Sequence, residues 1–208
     1  VMQTGKAWQE KGTSNVQDQV SHGLREGLFL DKVLEKDYGY TGRICYTQHH
    51  IAHAASSYYV SGFEEAAILT ADGVGEWATT TKSVGRGSTI ELLGEIHYPD
   101  SLGLFYSTIT AFLGFKVNND EYKVMGLASY GQPKYETEIL KLIDVFEDGS
   151  FKLNMEYFSF PYSNRRMYNR KIEEVLGEAR FSGDEVTQRH MDIASSAQKV
   201  LEDIMVKM

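Results

Sequence analysis

Three of the six histidines fall within five residues, in Gln48-His49-His50-Ile51-Ala52-His53-Ala54. On a helix, positions four apart share a face, so His49 and His53 can aim two imidazoles at one centre. Imidazole suits Zn, Fe, Ni and Cu. His50 lies about 100° round the same wheel and is not expected to join them. This is not the zinc-protease motif, which needs a glutamate directly after the first histidine as general base; His50 occupies that position. A metal-dependent hydrolase is disfavoured for the same reason. A lone histidine would read as a surface or satisfied core group, but the HxxxH pair on an alanine-rich face reads as a metal site.

A carboxylate follows. Asp72 closes an apolar run in Thr70-Ala71-Asp72-Gly73-Val74-Gly75-Glu76. Two histidines and one aspartate leave coordination positions open for substrate oxygens or phosphate. Gly73 and Gly75 let backbone N–H groups approach an anion, although a plain turn after a strand has the same appearance. Whether Asp72 reaches the histidines depends on how the helix and the next strand cross. A third feature is Asn118-Asn119-Asp120-Glu121-Tyr122-Lys123-Val124-Met125-Gly126-Leu127-Ala128-Ser129-Tyr130-Gly131. Lys123 offers a cation for a phosphate or a carbonyl oxygen, and Glu121 can orient it or accept a proton. The plain alternative is a surface Glu–Lys pair of little energetic value.

The elements that must position these groups alternate in type. Val16, Val20, Leu24, Leu28, Leu30 and Val33 repeat at helical spacing over residues 15–34. Glycines mark a turn at 38–42, and Arg43 to Thr47 is a strand candidate. Gln48 to Val60 reads as a helix ending at Ser61-Gly62, and Ala66 to Ala71 as a buried strand. Two strands are expected from about Trp77 to Val84 and Thr89 to Tyr98, joined by a Gly85–Ser88 hairpin turn. Ser101 to Phe115 reads as a helix capped by Ser101 or Asp100, and Lys116 to Pro133 as a long functional loop. Helices are expected over Glu136 to Phe146, Arg170 to Glu178 and Val186 to Met208, with a 147–150 turn between short strands and a Ser182-Gly183-Asp184-Glu185 capping box. This order points to α/β or α+β layering, not a bundle.

Composition sets limits. The 208 residues are 42% hydrophobic and 24% charged, as in an ordinary globular protein. Asp and Glu outnumber Lys and Arg, 29 to 21, for a net charge of -8. That balance lacks the basic footprint of a duplex binder, so no nucleic-acid partner is expected. Asn164-Arg165-Arg166 reads as a solvated helix start. Cys45, the single cysteine, excludes an internal disulfide and reads as a buried structural thiol. No run approaches the ~20 apolar residues of a membrane helix, and no signal peptide is visible; a cytoplasmic protein without membrane partners is expected. The chain starts without Met, and its last amphipathic helix (Ile193, Ala197, Val200, Leu201, Ile204) has no stop signal. A piece of a longer polypeptide is therefore expected.

Taken together and in order, His49-His50-Ile51-Ala52-His53-Ala54-Ala55-Ser56, Ala71-Asp72-Gly73-Val74-Gly75-Glu76, Ser101-Leu102-Gly103 and Glu121-Tyr122-Lys123-Val124-Met125-Gly126-Leu127-Ala128 closely resemble the O-carbamoyltransferases of the nodulation, cephamycin and tobramycin type. The match is strongest from about Arg43 to Gly131 and looser at Ala194-Ser195-Ser196-Ala197-Gln198. The resemblance implies an actin-like (sugar kinase, Hsp70, ribonuclease H-like) fold, related to threonylcarbamoyl-transfer proteins, with residues 1–208 as an incomplete first lobe carrying helical insertions. It implies a divalent metal on His49, His53 and Asp72, usually described as iron, so Fe(II) is expected first and Zn or Mn are alternatives. ATP and carbamoyl phosphate would be substrates. The metal would hold the phosphate of the carbamoyl-adenylate made from them, and a hydroxyl of a small-molecule or sugar acceptor would attack the carbamoyl carbon. Lys123, Glu121 and the backbone at Gly73 and Gly75 would take auxiliary electrostatic roles.

Family members also carry an opening strand with a His-Asp pair, a second actin-like lobe and an adenylate-forming domain. None is recognised in this sequence, so the chain alone is not expected to turn over and its missing lobe is an expected partner. Two other readings stay open: threonylcarbamoyl or hydrogenase-maturation-type carbamoyl transfer, and a non-catalytic actin-like metal-binding module. A sugar kinase is disfavoured because its phosphate loops cannot be identified.

Overall fold

A computed structural model describes residues 29–163 and 165–208. The chain divides into two compact units, residues 1–47 and 48–208. In the first, helix α1 (Leu30–Tyr38) ends in a left-handed Gly39 at φ 64°, whose amide and that of Tyr40 satisfy the last carbonyls. The expected helix positions Val16, Val20, Leu24 and Leu28 lie outside the described residues. Two expectations fail in this unit. Residues 43–47 form no strand, because nothing among the described residues pairs with them. Cys45 is therefore exposed instead of buried, since the alternation of its segment has no sheet to face.

The second unit opens with helix α2 (His49–Ser61), which stops at a left-handed Gly62. A short link leads into β1 (Glu65–Gly75), then β2 (Ala78–Arg86) and β3 (Thr89–His97). These three form one antiparallel sheet in the order β1-β2-β3. β1 was expected to be buried throughout. As the outer strand of that sheet it has Ala67 and Ala71 exposed, and Ile68 and Thr70 buried. Its pairing with β2 slips between Ala71 and Gly75, so residues 72–74 bulge out of register.

Helix α3 (Leu102–Phe112) starts at Ser101, whose side chain caps the Leu104 amide. It is buried almost all round; Phe105, Ile109 and Phe112 have no exposure. Its hydroxyls stay satisfied inside the core: Thr108 and Thr110 donate to the Leu104 and Tyr106 carbonyls. The expected long loop after it is not a loop throughout. Residues 121–128 form α4 (Glu121–Ala128), burying Val124 and Ala128 despite Gly126. The helix expected over 136–146 is only α5 (Glu136–Ile139). Beyond it the β-branched Ile143 and Val145 enter β4 (Ile143–Val145), which pairs through the Asp148-Gly149 turn with β5 (Phe151–Leu153).

Arg165 and Arg166 do not start a helix; both are exposed in a loop ahead of α6 (Lys171–Leu176). The final helix is α7 (Gln188–Lys207), burying Ile193, Ala194, Ala197, Val200 and Ile204 along one stripe. Its capping box is Thr187 with His190, not Ser182 with Glu185: His190 Nδ1 accepts from the Thr187 amide at 3.0 Å. α3 and α7 share one apolar core with α4, α5, α6 and the β4–β5 hairpin. The fold is mixed α and β with small antiparallel sheets. Among the described residues no helix is long and apolar enough to cross a membrane.

Candidate metal centre

Lengths explain why the histidines meet Asp72. Twelve helical steps from Ser61 back to His49 span about 18 Å. Seven strand steps from Glu65 to Asp72 span about 23 Å. The short link at residues 62–64 sends the chain back along α2, so Asp72 arrives beside the helix start. α2 then holds its rotation through the histidine that does not face the cluster. His50 is buried, with Nδ1 2.6 Å from Thr70 Oγ1 and Nε2 2.9 Å from the Ala78 carbonyl. Thr70 passes the chain of hydrogen bonds to Thr81 at 2.7 Å. Burial lowers the His50 pKa against the opposing pull of the Ala78 carbonyl, which keeps it a neutral anchor. With His50 turned inward, His49 and His53 face out on the neighbouring side of the helix.

His49 Nε2 stands 2.7 Å from Asp72 Oδ2, His53 Nε2 is 3.3 Å from the same oxygen, and the two nitrogens are 2.9 Å apart. Hydrogen bonds alone cannot satisfy this triangle. If both nitrogens carry protons for Asp72, two donors face each other across 2.9 Å. If one lacks its proton, its lone pair faces the carboxylate. A cation accepts all three lone pairs at once. Ligand atoms about 2.1 Å from one ion and at right angles stand about 3 Å apart, as these do. The residues therefore fit a divalent metal, in the two-histidine, one-carboxylate set that suits Fe(II). All three side chains are partly exposed (31%, 52% and 39%), which leaves room for further ligands.

Asp72 divides its two oxygens: Oδ2 faces the histidines and Oδ1 accepts from the Gly73 amide at 2.6 Å. Burial raises its pKa, but bonds from His49 and Gly73 outweigh that and hold the carboxyl below its usual range. The Gly73 N–H, expected to meet an anion, is thus engaged by Asp72. Gly75 is a matter of space. A Cβ there would sit 2.4 Å from His49 Cδ2 and 2.8 Å from His50 Nε2, so only glycine lets both rings pack against β1. A cavity of about 170 Å³ opens beside His49, between Gly75, Trp77, Glu95 and His97.

Glu121 and Lys123 do not line that cavity. Glu121 Oε1 accepts from Ser107 Oγ and from the Asn118 amide, tying α4 to α3. Lys123 pairs with Asp120 at 2.9 Å and lines a separate cavity of about 360 Å³ with Lys116 and Arg180. Lys123 and the Lys116 amide lower the Asp120 pKa in turn. Sequence reasoning gave Asp192 no part. It is buried at the start of α7 and collects Gln188, the Gln132 amide and Lys134. Its only sequence signal was an acidic residue on the apolar stripe of a helix.

Residues 7–208 match the family described as Carbamoyltransferase N-terminus. The chain belongs to this family. It is 42% identical over 218 residues to the uncharacterized protein sll1178 of Synechocystis sp., covering 100% of this chain and 35% of that protein. It is 33% identical over 193 residues to nodulation protein NolNO of Sinorhizobium fredii, covering 91% of this chain and 27% of the relative. With nodulation protein NolO of Bradyrhizobium diazoefficiens it shares 33% over 158 residues, covering 76% and 27%. The chain thus spans about a third or less of the length of these relatives.

Proposed function

We propose that this carbamoyltransferase-family chain supplies the metal-binding part of an O-carbamoyltransferase. The full enzyme would move a carbamoyl group from carbamoyl-adenylate, formed from ATP and carbamoyl phosphate, to a hydroxyl of a small-molecule or sugar acceptor. An actin-like, ribonuclease H-like lobe belongs to the same proposal. The antiparallel β1-β2-β3 meander followed by α3 supports it. The observation that carries the function is the convergence of His49, His53 and Asp72 within this family's N-terminal domain.

His49, His53 and Asp72 would hold the cation, with Fe(II) as the first choice. When bound, a divalent ion acts as a Lewis acid toward carbonyl and phosphoryl oxygens. Asp72 brings one negative charge and the two imidazoles none, so the set leaves a net positive site for an anionic donor. α2 begins at His49, and its unpaired N–H groups favour negative charge at the same end. The cavity beside His49 would give substrate room at one edge of the cluster. Lys123 enters the proposal as an electrostatic residue of the separate cationic cavity, where Lys116 and Arg180 add charge, and Glu121 as the residue that ties the start of α4 to α3 beside it. A purely structural role for the triangle is disfavoured, because ion pairs this exposed stabilise a fold little.

The test is metal content of the full-length protein after anaerobic reconstitution with Fe(II), Zn(II) or Mn(II), beside a His49→Ala, His53→Ala double variant checked for folding. Near one metal per chain is expected in the wild type and none in the variant. ATP- and carbamoyl phosphate-dependent transfer should disappear with the metal. A folded wild-type protein that takes up no ion under any of these conditions sinks the proposal.

A further inference from the structure

We propose that Ser101 and Gly103 are positioning residues for Asp72, clamping one peptide group so that the carboxylate presents a single oxygen to His49 and His53. The inference rests on the metal-site function proposed above. Its starting point is the bulge. Asp72 lies where β1 has lost register with β2, so the sheet's own hydrogen bonds do not fix its direction. Something else must hold it, and α3 does.

Ser101 is completely buried. Its Oγ lies 2.9 Å from the Asp72 carbonyl and 2.7 Å from the Gly73 carbonyl, and it accepts from the Leu104 amide at 3.0 Å. The Asp72 carbonyl and the Gly73 amide are two ends of one planar peptide group. Ser101 reaches the carbonyl end with a hydroxyl hydrogen that it shares with the Gly73 carbonyl of the next peptide. Asp72's own Oδ1 holds the amide end at 2.6 Å. Gly103 lies against the flat of the same group: a Cβ there would stand 2.5 Å from Gly73 N and 2.6 Å from the Asp72 carbonyl carbon and oxygen. Those are backbone atoms, so nothing can swing aside. With the plane fixed and Oδ1 taken, Oδ2 is left aimed at the histidines.

The clamp gives the Ser101-Leu102-Gly103 segment a reason beyond starting a helix. An N-cap needs only an acceptor for Leu104. The hydroxyl hydrogen aimed at the bulge and the bare Cα two residues on are extra requirements: the first is shared between the Asp72 and Gly73 carbonyls, and the second admits the Asp72–Gly73 peptide.

The experiment is an anaerobic Co(II) titration of the full-length protein, read by its d–d absorption, with thermal melts of the metal-free forms. Ser101→Ala should weaken Co(II) binding about 10–100-fold, the range seen when a ligand loses its supporting contact. Its metal-free Tm should fall no further than that of Thr108→Val, a buried hydroxyl of the same helix that touches only the Leu104 carbonyl. Ser101→Thr should bind within about three-fold of wild type, and Gly103→Ala should lose at least as much affinity as Ser101→Ala. Should Ser101→Ala fail to fold, Ser101→Cys decides: its weaker donor should give binding between the Thr variant and the Gly103→Ala level. Wild-type affinity in Ser101→Ala, or in Ser101→Cys where that variant decides, overturns the clamp. No Co(II) binding by the wild-type protein overturns the metal site itself.

Discussion

The corner that carries the histidines and the body that carries α3 and α7 are held together differently. α2 meets the sheet through the buried apolar residues Ala54, Tyr58 and Ile68, and through the polar chain His50–Thr70–Thr81. α3 and α7 share a continuous core of Phe, Leu, Ile and Ala side chains. Apolar packing is strong but weakly directional, so it fixes volume. Hydrogen bonds are worth little net, yet they fix direction. The contrast teaches that stability and aim are largely divided: the apolar body keeps the chain folded, and directional contacts in the corner, joined by Ser101 and Gly103 at the start of α3, keep three ligand atoms at one point.

The strongest way to break that division is to remove core and look for damage at the site. Phe112 has no exposure and packs edge-on to Tyr168. Phe112→Ala should cost about 3–5 kcal/mol in urea unfolding. The molecules that remain folded should bind metal as the wild type does. A Phe112→Ala protein with weakened metal affinity in its folded form would show that volume, too, sets the aim.

Gly75→Ala presses from the other side. Its methyl group would meet the His49 and His50 rings, and His50 cannot retreat from Thr70 and Ala78. Overpacking of this kind costs about 1–3 kcal/mol. Metal affinity should fall about ten-fold or more, because the change lands on a ligand and its anchor. Parallel melts and Co(II) titrations check both. A large loss of stability with intact affinity would put Gly75 on the wrong side of the comparison.

This division also explains what the sequence could and could not disclose. The i, i+4 pair His49 and His53, the apolar stripe of α7 and the glycine-marked turns were legible, because each is a periodicity or a residue whose backbone preference is local. That His50 stays apart from the other two followed from the same helical wheel, but its anchoring on Thr70 and Ala78 did not. The bulge at Asp72 was not legible, since a strand slips register through its neighbour's pairing and not its own composition. Nor was the second duty of Ser101, which needs α3 folded against β1 first. Cys45 and residues 43–47 misled because alternation implies a strand only where a partner exists. α4 was hidden by Gly126 and its polar neighbours, and its helical state comes from burying Val124 and Ala128. The 147–150 turn between short strands was legible, but the expected helix over Glu136 to Phe146 takes in the β-branched Ile143 and Val145 that form the first of those strands.

Thr70→Val tests the polar chain at nearly constant volume. It removes the hydroxyl between His50 Nδ1 and Thr81 Oγ1 and leaves two buried groups short of a partner. The expected cost is about 1–2 kcal/mol. The drop in metal affinity should be smaller than for Gly75→Ala, because His50 keeps its bond to the Ala78 carbonyl. If the variant matches wild type in both unfolding and Co(II) titration, the polar chain does not set the rotation of α2, and the apolar trio must.

The smallest expected effect lies in the body and has the character of the corner. His190 caps α7 by accepting from the Thr187 amide at 3.0 Å, a role only a neutral Nδ1 can fill. Burial lowers its pKa from 6.5, and Arg189 and Arg180 push the same way. The unfolded chain then binds the proton more readily than the folded one, so stability rises with pH through this window. The contribution of His190 is complete above about 6.5 and is lost progressively as the pH falls below it. His190→Gln keeps a capping side chain that does not titrate. Between pH 7.5 and 5.5 the wild type should lose more of its urea midpoint than this variant, with both measured metal-free. Parallel pH profiles would mean that the cap survives protonation and that the start of this helix is held by its apolar stripe and the Asp192 network without it.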